Sequence, residues 1–294
     1  MKEQFRSIKF QKKNLNLLEK IKQILKEYDE KGIKVTLRQL YYQLVARGLI
    51  SNNIKDYAKL SGLLTNARYT GLIDWEAIED RTRTPSLPST FADTEHLIDV
   101  ACRSYQLDRW KEQNHYIELW TEKDAISSVI APITEKYQVA MCVNRGYSSA
   151  SAMYDSFKRL RNPNKKNIIL YLGDYDASGL DMIRDIKERL EEFGVDDLEV
   201  LPIALTKEQI EKYSPPPNPA KITDPRAKWY IEKYGNQSWE VDALRPEVLQ
   251  ELIENSILEY LDLEKFQQVQ EQEQDDIEKL KEENLFKNGK KETN

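Results

Sequence analysis

Four apolar segments between residues 115 and 203 constrain the fold most, because they alternate with amphipathic helical segments. They read HYIELW, QVAMCV, NIILYLG and LEVLPI, and helices are expected to begin at Ala125, Ser149 and Ser178. Apolar strands that alternate with helices form a parallel sheet with helices on both faces. The sequence therefore predicts an α/β domain with a Rossmann-like parallel sheet, which we assign to residues 96–262.

The N-terminal part has a different pattern. Leucine and isoleucine recur every three or four residues in 14–28, TLRQLYYQLVARG begins at the capping residue Thr36, and a third apolar periodicity covers 54–70. The following LIDWEAIEDRTR has the alternating character of a short hairpin. Three helices and a hairpin wing predict an α+β winged-helix domain, which we assign to residues 1–84.

Prolines and charged runs set the remaining boundaries. A proline-containing linker is expected at residues 85–95, and the proline-dense SPPPNPAKITDP is expected to be an extended loop that leads to a helix at 226–234. The segment WEVDAL predicts a short strand, and Pro246 begins the next helix. Residues 263–294 are expected to form a charged C-terminal helix and tail.

Charge and composition limit the function classes. The net charge is −6, but residues 1–84 carry 17 Lys and Arg against 10 Asp and Glu. A basic N-terminal part is compatible with phosphate binding, even in an acidic chain. The sequence has no membrane-spanning apolar run and no export signal, so we expect a cytoplasmic protein. Two histidines and two widely separated cysteines argue against zinc, so a catalytic metal would need oxygen ligands.

Acidic residues follow two of the predicted strands. Asp174 and Asp176 come directly after IILYL, and Glu122 ends the strand that contains HYIELW. The carboxyl ends of parallel strands meet at one edge of a sheet, and Mg²⁺ or Mn²⁺ prefers carboxylate ligands. Alternatively, the two aspartates cap the next helix. Glu240 and Asp242 could approach this edge or simply end a strand, and the sequence leaves both interpretations open.

Several motifs resemble those of a known family when they are taken in order. IELWTEKDAI, CVNRGYSS and LYLGDYDASGLDM resemble the glutamate motif, the middle glycine turn and the DxDxxG motif of Toprim domains, and RQLYY resembles a winged-helix motif that carries a catalytic tyrosine. Together they are similar to the topoisomerase VI A subunit and the meiotic double-strand-break protein, over roughly residues 33–260. The resemblance implies Mg²⁺-dependent cleavage of double-stranded DNA through a phosphotyrosyl link.

The same resemblance implies roles for individual residues. Glu122, Asp174 and Asp176 would be metal ligands, with Glu122 also part of the catalytic set. Tyr42 would be the nucleophile, and Arg38, one helical turn earlier, would stabilise the phosphate. The family's tyrosine meets the metal site of another subunit, so a homodimer is implied. DYDASG lacks the family's proline, and the chain contains no GHKL-type ATPase module, so strand passage would need a separate ATPase subunit.

Basic residues are candidate DNA contacts. The alternative interpretation is that each is an ordinary charged residue on a solvent-exposed surface. The candidates are Arg47, Arg68, Arg81, Arg83, Lys123 and Arg145. Two other functions remain open. The first is a Toprim nuclease in which metal-activated water replaces the tyrosine. The second is a non-catalytic winged-helix dimer that binds DNA, and any of these functions would place the protein at the nucleoid.

Overall fold

The chain begins with three helices, whose positions agree with the apolar periodicity. The computed structural model describes residues 4–79, 90–144, 148, 150–161 and 164–289. The helices are α1 (Lys12–Asp29), α2 (Leu37–Ala46) and α3 (Ile54–Tyr69). Thr36 begins α2 with a reciprocal capping box to Gln39, as its residue type predicts. Beyond α2, Gly48 adopts a φ of +67°, a left-handed conformation that favours glycine.

The predicted winged-helix domain is not confirmed. Strand β1 (Val35–Thr36) pairs in parallel with β2 (Ile78–Glu79), and a short 3₁₀ turn at Trp75–Ala77 precedes β2. The predicted wing is a hairpin of two antiparallel strands, and the described part of LIDWEAIEDRTR, which ends at residue 79, contains no such pair. The rest of that segment lies outside the described residues.

A four-stranded parallel sheet forms the centre of the α/β part, as predicted. Its elements follow α4 (Thr94–Ser104) in the order β3 (His115–Thr121), α5 (Ser127–Tyr137), β4 (Ala140–Val143), α6 (Ala150–Leu160), β5 (Lys166–Leu172), α7 (Ala177–Glu192) and β6 (Leu198–Ala204). The spatial order is β4, β3, β5, β6, and all neighbours are parallel. Helix α4, which the sequence analysis did not identify, begins inside the expected linker.

The last third of the chain contains one segment, around Trp239, that lies next to the carboxyl end of β5. It contains α8 (Lys207–Tyr213), β7 (Asn218–Pro219), α9 (Ala227–Tyr234), β8 (Gln237–Ser238), α10 (Pro246–Leu258) and α11 (Leu263–Gly289). The short strand expected in WEVDAL lies earlier, at β8, which pairs with β7. Trp239 instead forms an isolated bridge with Tyr175, which brings the following residues next to the end of β5.

Two hydrophobic clusters hold the molecule together. One contains Met153, Ile186 and other side chains from α6, α7 and one face of the sheet. The other contains side chains from α5 and α10 and extends without interruption into α1, α2 and α3. The N-terminal helices therefore share a core with the α/β part, and α2 packs against the short turns at Asp124–Ile126 and Val241–Ala243. In the described parts of the chain, none of the helices is both long and apolar enough to cross a membrane.

Candidate metal centre

Three carboxylates converge at the carboxyl edge of the sheet. Asp174 follows β5, and Glu240 and Asp242 lie after β8; one oxygen atom from each lies within 4.8 Å of the others. Asp174 and Asp242 are buried, with exposures of 5% and 1%. Carboxylate oxygens are the ligands that Mg²⁺ prefers. The structure therefore brings together one of the predicted ligands and the two acidic residues whose position the sequence left open.

Backbone pairing holds the two parts of this cluster together. The amide of Tyr175 donates to the Trp239 carbonyl at 2.8 Å, and the Trp239 amide donates back at 3.1 Å. Two residues after Trp239, the Val241 amide donates to Oδ1 of Asp174 at 3.0 Å. Gly179 permits the tight turn after β5, because a Cβ there would lie 2.1 Å from the Asp174 carbonyl oxygen. The absence of a Cβ at Gly179 thus allows the close approach of the backbone.

Lys123 lies among the three carboxylates. Its Nζ is 2.9 Å from Asp174, 2.8 Å from Glu240 and 3.5 Å from Asp242, and its side chain is only 14% exposed. Burial by itself lowers the pKa of Lys123, but the charges of Asp242 and Asp174 outweigh burial and raise it. Lys123 therefore carries an ammonium charge at the position where a bound cation would meet these oxygens.

Arg38 and Tyr42 approach the cluster from α2. The Nε of Arg38 donates to Oδ2 of Asp242 at 2.6 Å, and its Nη2 donates to Glu240. The amide of Asn218 contacts both the Tyr42 hydroxyl, at 3.5 Å, and Oε1 of Glu240, at 3.3 Å. Tyr42 and the acidic cluster thus meet within one chain.

Tyr42 is a buried phenol, with 4% of its surface exposed. Burial raises the pKa of Tyr42, while the hydrogen bond from Asn218 and the charge of Arg38 act in the opposite direction. Its neighbour Tyr41 is also buried and packs against Tyr42 and Tyr57. The hydroxyl of Tyr41 donates to Oδ1 of Asn52 at 3.0 Å, so both the ring and the hydroxyl of Tyr41 have partners nearby.

Glu122 and Asp176 flank the three-carboxylate cluster. Burial, followed by the negative charge of Asp174, raises the pKa of Glu122 to about 7. Asp176 caps α7, because its Oδ1 accepts from the amides of Ser178 at 3.0 Å and Gly179 at 2.8 Å. Its Oδ2 pairs with Lys221 at 2.9 Å. The helix-capping interpretation thus holds for Asp176, whose second oxygen faces a lysine.

The charges of the site do not balance. Five carboxylates interact here, those of Glu122, Asp174, Asp176, Glu240 and Asp242. Their cationic partners among the described residues are the three side chains of Arg38, Lys123 and Lys221. With every group ionised, two negative charges are uncompensated, which one divalent cation would offset. The acidic donors all offer oxygen, so the site fits Mg²⁺ or Mn²⁺ better than zinc.

Two of the predicted DNA-binding arginines make contacts within the N-terminal part of the chain. Arg47 pairs with Glu27 at 2.6 Å, and Nη2 of Arg68 donates to the Ile78 carbonyl at 2.6 Å. Both contacts connect N-terminal elements to one another. The other three, Arg81, Arg83 and Arg145, lie outside the described residues together with Gly146.

Two contributors to the site were not predicted from the sequence. Asn218 and Lys221 lie in the proline-dense loop, which has no periodicity that assigns a direction to a side chain. Glu240 and Asp242 did carry a signal, because alternate acidic residues follow a tryptophan shortly before a helix. That signal does not show which residues lie next to Glu240 and Asp242 in space. Their position beside Asp174 follows from the bridge between Trp239 and Tyr175.

The sequence matches no protein-family model and no curated protein. The similarity of IELWTEKDAI and LYLGDYDASGLDM to Toprim motifs therefore stays a prediction. Function is inferred from the geometry and charge of the site.

Proposed function

We propose that this chain cleaves DNA phosphodiester bonds in a Mg²⁺-dependent reaction, as the resemblance to the topoisomerase VI A subunit implies. The observation that carries the proposal is the convergence of the carboxylates of Asp174, Glu240 and Asp242 directly beside Arg38 and Tyr42. DNA brings further negative charge, so an acidic site can accept it only with a cation present. A nucleophile and an arginine beside such a site are the groups that phosphoryl transfer requires.

The carboxylates of Asp174, Glu240 and Asp242 would hold the ion, with Glu122 and Asp176 adjoining. When bound, Mg²⁺ supplies positive charge to the phosphate oxygens and orients the DNA strand. Lys123 then gives up its contacts with the carboxylates and offers its ammonium to a phosphate oxygen. Arg38 keeps its contact with Asp242 and presents the rest of its guanidinium to the same phosphate.

Tyr42 performs the covalent step in this proposal. Its oxygen forms a bond to phosphorus, the bond between phosphorus and a sugar oxygen breaks, and the sugar oxygen takes up the proton that the tyrosine releases. The protein–DNA link conserves the energy of the broken bond, so the reverse reaction can reseal the strand. Arg38, whose guanidinium carbon is 5.7 Å from the Tyr42 ring centre, favours the phenolate form.

Hydrolysis by water is the second candidate, and two observations favour it. Tyr42 is buried and its pKa is raised, both of which oppose nucleophilic attack. Glu122, by contrast, has a pKa of about 7, which suits a group that takes a proton from water near neutral pH. The DNA ends distinguish the two candidates, because only the tyrosine reaction leaves protein attached to DNA.

Plasmid cleavage tests the proposal. Labelled plasmid is incubated with the chain and Mg²⁺ or Mn²⁺, denatured with detergent and examined for DNA attached to protein. We expect metal-dependent attachment that Tyr42→Phe abolishes and Tyr41→Phe, the matched control, retains. Metal-dependent cleavage without attachment would establish the hydrolytic candidate, and the absence of any cleavage would contradict both.

A mixture of two variants tests whether the reaction needs the tyrosine of a second chain, as the predicted homodimer implies. Tyr42 adjoins the acidic cluster of its own chain, so the reaction does not need a partner's tyrosine. We therefore expect an equal mixture of Tyr42→Phe and Asp174→Asn chains to remain inactive in plasmid cleavage. Activity that returns on mixing would mean that the tyrosine of one chain acts at the carboxylates of another.

A further inference from the structure

A groove of about 670 Å³ leads from the N-terminal helices to the acidic cluster. One wall comes from α2 and from the start of α3, and the other comes from the segment between β7 and Trp239. Tyr42 and Glu240 both line it, so it connects the proposed nucleophile to the proposed metal site. We propose that this groove binds an unpaired stretch of a nucleic-acid strand, an inference that rests on the proposed function and names its substrate.

Aromatic side chains give the groove surfaces on which bases can stack. Tyr57 and Trp239 line it, and both are partly exposed. Each ring is supported edge-to-face by another tyrosine, Tyr41 against Tyr57 with ring centres 5.1 Å apart and Tyr175 against Trp239 at 6.1 Å. Stacking on such rings is how proteins bind single strands with little sequence preference, because every base has a π face.

Polar groups complete the lining. The amides of Asn52 and Asn218 are hydrogen bonded to each other at 2.7 Å and can exchange that bond for one to a base edge. Lys55 is exposed at the mouth of the groove. Lys221, with 62% of its side chain exposed, adjoins Asp176 at the inner end. Two lysines beside aromatic surfaces match the alternation of phosphate and base along a strand.

The size of the groove favours an unpaired strand over a duplex. Pockets of roughly 300–1,000 Å³ enclose ligands of the size of a small molecule, which corresponds to one or two nucleotides. A duplex is far wider, since its major groove alone measures about 12 Å. A base that enters between Tyr57 and Trp239 would carry its phosphate toward Tyr42. The structure thus indicates cleavage at an unpaired or locally opened site.

Fluorescence anisotropy tests this inference with the full chain. The probes are a fluorescent oligodeoxythymidine and a duplex with the same number of phosphates, in Ca²⁺ so that binding is separated from turnover. We expect tighter binding of the oligodeoxythymidine, and Trp239→Ala should weaken that binding by about tenfold, the loss of one base stack. Trp229→Ala is the matched control, because Trp229 is exposed on α9 away from the groove. Trp239→Phe, which keeps a ring, should restore most of the affinity.

A second variant changes a residue that lies outside the hydrophobic core. Lys55→Ala changes only an exposed side chain and should lower the salt dependence of strand binding by about 0.7 in the log–log slope, the contribution of one phosphate contact. Lys228→Ala on α9 should leave the slope unchanged. Equal binding of single strand and duplex, or equal effects of the groove variants and their controls, would overturn the inference.

These experiments distinguish failure of the groove inference from failure of the proposed function. Strand binding in the groove by a chain that cleaves no DNA would support the groove and contradict the enzyme. Cleavage of fully paired DNA that Trp239→Ala and Lys55→Ala leave unchanged would support the enzyme and overturn the groove.

Discussion

Two acidic sites in the same sheet differ in how their charge is compensated. Glu118, on β3, is fully buried, and Arg159 donates to it at 2.7 and 3.1 Å. The indole of Trp120 and the hydroxyl of Tyr116 also donate to it, at 2.8 and 3.1 Å. One cation and several neutral donors thus satisfy one carboxylate. At the cluster around Asp174, the carboxylates outnumber their cations.

The difference teaches that burial of charge does not by itself indicate function. A buried carboxylate with its own cation and a full set of hydrogen bonds is a structural element. Carboxylates that repel one another are destabilising unless something else offsets them, which is why such sites mark metal or catalytic centres. Three variants test this contrast between Glu118 and Asp174.

Asp174→Asn should have the largest effect. It removes one negative charge from the proposed ion site, while the amide oxygen still accepts from Val241. We expect plasmid cleavage to fall by at least about 100-fold, the usual loss when an electrostatic group of an active site is removed. Urea unfolding should show no loss of stability, because the variant reduces the repulsion among the carboxylates. Undiminished cleavage would contradict the role of Asp174.

Glu118→Gln should lower the stability and leave cleavage unchanged, which is the opposite of the effect of Asp174→Asn. It leaves Arg159 without its counter-charge, although 39% of that side chain is exposed and can turn to water. We therefore expect a loss of about 2–3 kcal/mol in the free energy of unfolding, at or below the low end for breaking a buried pair. Urea denaturation measures the loss, and cleavage by the folded fraction should not change. Loss of metal binding in this variant would erase the contrast between the two sites.

Lys123→Met should give the smallest effect. It removes the ammonium that lies among three carboxylates, so the metal-free chain should become less stable and Mg²⁺ should bind about tenfold more tightly. Calorimetric titration and the rise of the Tm with added Mg²⁺ measure the two changes. Lys221→Met is the matched control, because its more exposed pair with Asp176 contributes less. Weaker metal binding in Lys123→Met would mean that the lysine helps to hold the ion.

The sequence predicts the α/β part of the fold well. The apolar runs that became β3 and β5 are nearly continuous, since these two central strands are buried, whereas the edge strands β4 and β6 are only partly buried. The wing was harder to predict. Trp75 and Ala77 lie in a 3₁₀ turn, and the adjacent Ile78 pairs with Val35, which is far away in the chain and cannot be identified from a local pattern.

The candidate site could be predicted only in part, because some of its residues meet through pairs that are far apart in the chain. Asp174 could be placed from the end of its strand, because strand ends meet at one edge of a sheet. Glu240 and Asp242 reach that edge through the pairing of Trp239 with Tyr175, two residues far apart in the chain. Local sequence patterns carry no information on such pairs. The proximity of Tyr42 to its own chain's carboxylates likewise follows from the packing of α2 on the turn at Val241–Ala243, which contains Asp242.

Direct titration with Mn²⁺, followed by electron paramagnetic resonance, tests the central claim, which is that the uncompensated carboxylates around Asp174 bind a divalent ion. The chain, Asp174→Asn and Glu118→Gln are compared at the same pH and ionic strength. We predict saturable binding of Mn²⁺, competed by Mg²⁺, that Asp174→Asn loses and Glu118→Gln retains. Binding that is absent from the unchanged chain, or equal in the two variants, would contradict the account.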